Sequence, residues 1–250
     1  MLVAVALSQF VRPLRAARAV VFDTDGVITD SARVHAAAWK QVFDAYLRSV
    51  GQNEMFDPVE DYRRHVDGRS RLDGAAGFLA ARGLDTSDAT VRAVAEAKER
   101  LFAQALREHG VVAYPGTVRL LRALRAERVP CAAVSASRHA PQLLERARVR
   151  DLFATVVDGT EAARLALPGK PDPALFLEAA RRLGVAADRS AVIEDALAGV
   201  EAGRRGGFAL VVGVDRTAGP TSAADLRARG ADLVVGDLAE LLVGEVADRA

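Results

Sequence analysis

With 250 residues, half of them hydrophobic, the chain can build one α/β unit with a sizeable insertion or two modest domains sharing a core. A single cysteine, Cys131, excludes an internal disulfide and a cysteine-rich metal site, and fits a reducing cytoplasm. Lys plus Arg number 34 against 33 Asp plus Glu, a formal charge of +1, so neither nucleic acid nor an anionic membrane is an expected partner.

Met1 to Leu7 is apolar and resembles the core of a signal peptide. No positive residue precedes it, and Arg12, Arg15 and Arg18 follow, so a short N-terminal helix or an over-long start fits it better than a leader. Nothing in the chain approaches the ~18 consecutive apolar residues of a membrane span. The next apolar run, Ala19-Val20-Val21-Phe22, stops on Asp23-Thr24-Asp25-Gly26. Residues two apart in an extended segment point the same way, so Asp23 and Asp25 can face one ligand while Thr24 looks away. Gly26 lets the backbone turn sharply. The carboxyl ends of strands are where open α/β sheets keep their chemistry.

From about Ala32 to Gly110 no convincing strand is found, and helical patterns run over 32–50, 73–82 and 90–108. The expected organisation is therefore a discontinuous core, residues 1–31 and 111–250, with an all-helical cap over 32–110. Its outlets, Ser31 and Tyr114-Pro115-Gly116, would hang it over the carboxyl edge of the sheet, the place of a lid. Beyond it, short apolar runs alternate with helical patterns. The runs are 131–134, 155–157, 191–193 and 209–212, and the helices 117–128, 140–148, 173–183 and 197–205. Runs apolar on both faces read as buried parallel strands, and the alternation implies a Rossmann-like parallel α/β sheet with right-handed crossovers. An edge strand over 232–235 and a closing helix over 238–246 are expected last, while 158–167 has no assignment.

Four elements carry chemistry: Asp23 with Asp25, Ser135 at a strand end, Lys170-Pro171, and Glu194-Asp195 at another strand end. Lysine is scarce here, Lys40, Lys98 and Lys170 against 31 arginines, so each compact ammonium is worth inspecting. Taken alone, a serine after a strand is a helix cap and Lys-Pro-Asp-Pro a turn. In this order they resemble the haloacid dehalogenase superfamily of aspartate-nucleophile phosphotransferases. Phe22 to Ser31, His35, Trp39, Gly68-Arg69-Ser70-Arg71, Tyr114-Pro115-Gly116, Val134 to Ser137, Gly169 to Pro173 and Ile193-Glu194-Asp195 are similar to its β-phosphoglucomutase branch.

The resemblance covers roughly residues 19–215 and implies phosphoryl transfer on a small-molecule sugar phosphate with a Mg²⁺ cofactor. Asp23 would then be the nucleophile. Asp25 would be the general acid and base, a role that calls for an environment raising its pKa. Mg²⁺ would lie among Asp23, the Asp25 backbone carbonyl, Glu194 and Asp195. Ser135, Ala136 and Lys170 would hold the transferring phosphoryl group. In the cap, Arg71 matches a distal-phosphate arginine. Gly68, Ser137 and Arg138 would line the substrate site, and His35 and Lys98 would couple closure to Asp25. Trp39 and Phe43 fit the apolar core of the cap better than a sugar platform. Two departures stand out: Thr24 replaces a larger apolar residue, and Arg138-His139 replaces Lys-Asn. A mutase interconverting β-glucose 1-phosphate and glucose 6-phosphate, a phosphatase using the same aspartate and a non-catalytic phosphosugar-binding module all remain open. A monomer is expected, leaving the cap free to open.

Overall fold

Parallel strands buried on both faces need helices on both faces, and the apolar runs pair in that way. The structure, a computed structural model, describes residues 9–216 and 223–243. In chain order the elements are β1 Ala19–Asp23, α1 Ala32–Ser49, α2 Arg71–Ala81, α3 Asp88–His109, α4 Pro115–Ala126, β2 Cys131–Val134, α5 Ala140–Arg146, β3 Thr155–Val157, α6 Gly159–Arg164, α7 Ala174–Leu183, β4 Ser190–Glu194, α8 Leu197–Arg205, β5 Leu210–Val214, α9 Ala223–Ala228 and β6 Leu233–Val235. The six strands form one sheet in the order β3-β2-β1-β4-β5-β6, with every pairing parallel. Successive side chains leave a strand on opposite faces. Val20 and Phe22 therefore pack with Leu120, Leu121 and Leu124 of α4, while Val21 packs with Leu175, Phe176 and Ala179 of α7.

This order places the topological switch point between β1 and β4. Connections leave in opposite directions from these two strands, opening a crevice at their carboxyl ends. Phe22 is in register with both Ala133 and Ile193, so Asp23 and Glu194 emerge side by side at that crevice.

Between β1 and α4 the regular elements are all helical, with a π-helical turn at Tyr62–Val66 ahead of α2. The three helices enclose an apolar cluster separate from the two that flank the sheet, built around Phe43, Phe56 and Phe78. The Phe43 ring centre lies 4.1 Å from that of Phe78 and 4.8 Å from that of Trp39. Helix starts differ from the apolar periodicity by two residues because caps set them. Ser70 accepts from the Asp73 amide and Ser87 from that of Thr90, moving the starts of α2 and α3 to Arg71 and Asp88.

Two expectations need correction. The unassigned segment 158–167 contains α6, which starts because the Asp158 carboxylate accepts from the amides of Thr160 and Glu161, at 3.0 and 2.9 Å. The closing helix over 238–246 is a single 3-10 turn, Leu238–Leu241, with an Asp237/Glu240 capping box. Leu242 then leaves in extended backbone and bridges to Phe10, and the rest of the expected helix lies outside the described residues. Met1 to Leu7 lies outside them too. No described helix is long and apolar enough to cross a membrane.

Trp39, the only tryptophan, belongs to the cluster of the helical segment, so its fluorescence reports on that layer rather than the sheet. Phe78→Ala removes a fully buried ring and is expected to cost about 3–5 kcal/mol. In urea the variant's tryptophan transition should move to lower denaturant than its far-UV circular dichroism transition. Coincident transitions in the variant would show that sheet and helical segment unfold as one unit.

Candidate active site

β1 delivers Asp23 to the sheet edge, where its Oδ2 accepts from the Asp25 amide at 2.9 Å. The Thr24 hydroxyl points the other way and donates to the Val134 carbonyl at 2.9 Å. Gly26 turns the chain with φ of +87°, and a Cβ there would stand 1.8 Å from Asp195 Oδ2. The turn therefore needs glycine both for its backbone angle and because the Asp195 carboxylate occupies the side-chain space.

Lys170 is buried beneath this turn, with Nζ bonded to Asp23 Oδ1 and, at 2.7 Å, to Glu194 Oε2. The other Glu194 oxygen accepts from the Ala196 amide at 3.0 Å. A Cβ at position 199 would come within 2.1 Å of the Glu194 carboxyl, so Gly199 opens the first turn of α8 to it. Asp23, Glu194 and Asp195 each offer an oxygen, and the three lie within 4.8 Å of one another. Burial, then the neighbouring Glu194, pushes the Asp23 carboxyl up against the pull of Lys170. Asp195 is pushed up by burial and by Asp67, Glu194 and Asp23. Asp195 Oδ1 is buried without a hydrogen-bond partner. An all-oxygen donor set, excess negative charge and an orphaned carboxylate oxygen fit a hard divalent cation.

Asp25 is held differently. Its Oδ1 accepts from Ser31 Oγ at 2.5 Å and its Oδ2 from Ser135 Oγ at 2.9 Å. Nε2 of His35 stands 3.3 Å from Oδ1. On the far side of that ring, Lys98 Nζ lies 2.7 Å from His35 Nδ1. An ammonium can only donate, so Nδ1 accepts and Nε2 carries the proton that faces Asp25. Burial and Lys98 push the His35 pKa down, and burial brings Lys98 to about 8.

This corrects the expectation of a raised Asp25 pKa. Burial alone would raise it, but His35 and the Ser31 and Ser135 hydrogen bonds outweigh burial and hold the carboxyl below its ordinary range. Ser135 belongs to the same network. Its hydroxyl donates to Asp25 and accepts from the Ser137 amide at 2.9 Å, and the side chain lies below the cleft floor.

A narrow cleft separates the sheet edge from the helical segment. Asp23, Asp25, Glu194, Asp195, Ala136, Ser137 and Arg138 line it from the sheet side, and His35, Trp39, Gly68, Arg71 and Lys98 from the helical side. Lys170 and Ser135 support the floor from beneath. Trp39 shows the cleft only an edge, since it is 3% exposed and stacks on Phe43. Phe43 does not reach the cleft.

Three further residues were not singled out from the sequence. Tyr62 and Asp67 line the cleft from the π-helical turn and its exit, and burial with Glu194 lifts Asp67 to about 7. Asp67 adjoins the Gly68 motif, so its position was available; Tyr62 has no local signal. Glu99 of α3 also lines the cleft, and its Oε1 lies 2.5 Å from His139 Nε2 at the start of α5. That pair joins the helical segment to the sheet unit at the position where His139 departs from the resemblance.

The profile of the haloacid dehalogenase-like hydrolases matches residues 17–207, a span that contains all four acidic and lysine elements of the floor. The chain belongs to the haloacid dehalogenase-like hydrolase family. Membership makes it an enzyme, a phosphotransferase or a phosphatase. A β-phosphoglucomutase of Mycobacterium tuberculosis is 41% identical over 239 residues, covering 90% of this chain and 91% of that protein. A phosphorylated carbohydrates phosphatase of Thermotoga maritima is 28% identical over 199 residues, covering 78% and 84%. Among solved structures, a β-phosphoglucomutase of Clostridium difficile superposes with a TM-score of 0.74 at 26% identity, covering 90% of this chain and 93% of that one. Haloacid dehalogenase-like hydrolases generally use Mg²⁺, in keeping with the acidic cluster at this switch point.

The Glu99–His139 pair has a calculable pH signature. The hydrogen bond to Glu99 raises the His139 pKa above its ordinary 6.5, and the same bond lowers Glu99 to about 2 from 4.5. The His139 contribution to stability is complete below 6.5 and is lost as pH rises through the elevated value; Glu99 contributes at any pH above about 4.5. As pH rises from 6.5 through the elevated His139 value, wild type should lose more thermal stability than His139→Gln. Parallel melting-temperature curves for the two proteins would remove the pair from the stability of the folded state.

Proposed function

We propose that the chain is a Mg²⁺-dependent phosphosugar mutase of β-phosphoglucomutase type, interconverting β-glucose 1-phosphate and glucose 6-phosphate. The observation that carries this reading is the placement of Arg71 and Arg138 on the cleft that also receives Asp23. Among the described residues neither guanidinium has an ion-pair partner within 4.0 Å. A hydrolase needs to hold one phosphate. A mutase must hold a bisphosphate by both ends and offer either to one nucleophile, and unpaired guanidiniums beside the cleft suit the second phosphate.

In this reading an Asp23 oxygen attacks phosphorus in line, and Asp25 gives a proton to the departing sugar oxygen, leaving an aspartyl phosphate. A sugar hydroxyl then attacks the phosphorus, its proton passing to Asp25, and Asp23 is regenerated. Asp23, Glu194, Asp195 and the Asp25 carbonyl would hold Mg²⁺, which when bound would supply the charge neutralisation that lets a carboxylate meet a phosphate. Lys170 opposes the burial that favours the neutral Asp23 acid, and so works toward the anion that attacks. Without a phosphate nearby Asp25 is held as the anion, so the proton it gives to the departing oxygen is taken up from solvent when substrate binds. Acting as the acid requires negative charge nearby, which the bound phosphoryl group brings. The helical segment acts as the cap whose closure excludes water from the aspartyl phosphate.

Hydrolysis of a sugar phosphate by the same aspartate is the second reading, supported by similarity to the Thermotoga maritima phosphatase. Incubation with Mg²⁺, β-glucose 1-phosphate and a trace of the 1,6-bisphosphate, followed by ³¹P NMR, separates the two. Glucose 6-phosphate is the expected product, and free phosphate without the isomer would establish the hydrolase. Asp23→Ala should lower turnover by about 1,000-fold or more and abolish the covalent phosphoenzyme signal. Retention of either would remove Asp23 as nucleophile. Arg71→Ala should lower mutase turnover about 10- to 100-fold, the loss of a charge-assisted contact, while leaving hydrolysis of a small monophosphate ester nearly unchanged. Equal losses in both reactions would argue against a distal-phosphate role.

A further inference from the structure

We propose that Arg216, two residues past the end of β5, is a positioning residue for the metal-binding turn, setting cation affinity without touching substrate. This rests on the functional reading above. β5 is separated from β1 by β4, so the Arg216 side chain reaches past the strand end that carries Glu194 and Asp195. Its Nε donates to the Gly26 carbonyl at 2.7 Å and its Nη2 to the Val27 carbonyl at 3.1 Å. Nη2 also meets Thr117 Oγ1 at 3.2 Å, and Nη1 meets Asp237 Oδ2 at 3.2 Å. The guanidinium carbon lies 3.5 Å from the centre of the Tyr114 ring.

This arrangement spends the donors of the fork on backbone and scaffold, leaving Arg216 outside the cleft lining. The two carbonyls it holds belong to the residues that follow Asp25. Among the described residues no backbone amide reaches either carbonyl, although Thr117 Oγ1 also donates to that of Val27 at 2.8 Å. On the opposite side of the same turn, Gly26 is so close to the Asp195 carboxylate that no Cβ fits between them. Arg216 thus clamps a turn whose upper surface is the seat of one acidic ligand and whose preceding peptide offers another oxygen. A displacement of a few tenths of an ångström there changes the spacing of the donor set. Lysine is no substitute, because one ammonium cannot place two parallel donors on adjacent carbonyls while stacking flat on a ring.

The test compares wild type with Arg216→Lys, Arg216→Gln and Thr117→Val. Mg²⁺ binding to the substrate-free protein is measured by isothermal titration calorimetry, alongside kcat, KM and melting temperature. Both Arg216 variants should bind Mg²⁺ about 5- to 20-fold more weakly and lose kcat in similar proportion, with the sugar-phosphate KM changed less than about twofold. Thr117→Val keeps the arginine and the side-chain volume, and should shift Mg²⁺ affinity in the same direction but less. Wild-type Mg²⁺ affinity and kcat per folded molecule in an Arg216 variant, with only the melting temperature lowered, would overturn the proposal. Should both Arg216 variants fail to fold, unchanged Mg²⁺ affinity in Thr117→Val would overturn it instead. Failure of the functional reading looks different: wild type itself would show neither Mg²⁺ binding nor phosphoryl transfer.

Discussion

Everything at the sheet edge answers to one imbalance: three carboxylates crowd a buried floor that holds a single ammonium. Lys170 is shared between Asp23 and Glu194, so it cannot fully neutralise either, and Asp195 is left to its own devices with one oxygen unpartnered. Buried like charges at this spacing are tolerated only when something offsets their desolvation. The fold concentrates the offsets it has. It brings the Ala196 amide to Glu194, the Asp25 amide to Asp23, and glycines to the two places where a Cβ would intrude on a carboxylate. The remaining deficit is one that a small, hard cation meets.

Two aspartates separated by one residue end in opposite electrostatic situations. Asp23 lies against carboxylates and is pushed toward the neutral acid, with Lys170 opposing. Asp25 lies against two hydroxyls and an imidazole and is pushed toward the anion. Strand geometry points both into the cleft, but neighbours drawn from four distant parts of the chain distinguish them. Pairs of carboxyls whose surroundings separate their acidities are a general way of dividing labour between chemically identical groups.

Much of this was legible because buried parallel strands are written as unbroken apolar runs. β2 and β3 match their runs residue for residue, whereas β4 gains Ser190 and Glu194, polar residues that the sheet buries. The short α6 was invisible to periodicity, since six residues are too few for an amphipathic repeat, and only the Asp158 cap marks it. In the cleft, the strand-end acids, Lys170 and the arginine of the Gly68 motif were readable as local patterns. Tyr62, the Glu99–His139 bridge and the Arg216 clamp were not. Each depends on residues 40 or more positions apart meeting in space, a relation no local pattern encodes. The acidity of Asp25 depends on such a relation only in part, since Ser31 and His35 follow it within ten residues at the start of α1 while Ser135 comes from the end of β2.

Those partners are unevenly distributed. Ser31 caps the start of α1 and His35 sits one turn into it, while Ser135 stays with the sheet at the end of β2. Two of the three groups that keep Asp25 ionised therefore travel with the first helix of the helical segment. Any swing of α1 about the Asp30–Ser31 junction is at the same time a titration: the tilt of a helix is transcribed into the proton affinity of a carboxylate. Helix placement and carboxylate chemistry meet in one hydroxyl hydrogen bond and one imidazole contact at 3.3 Å.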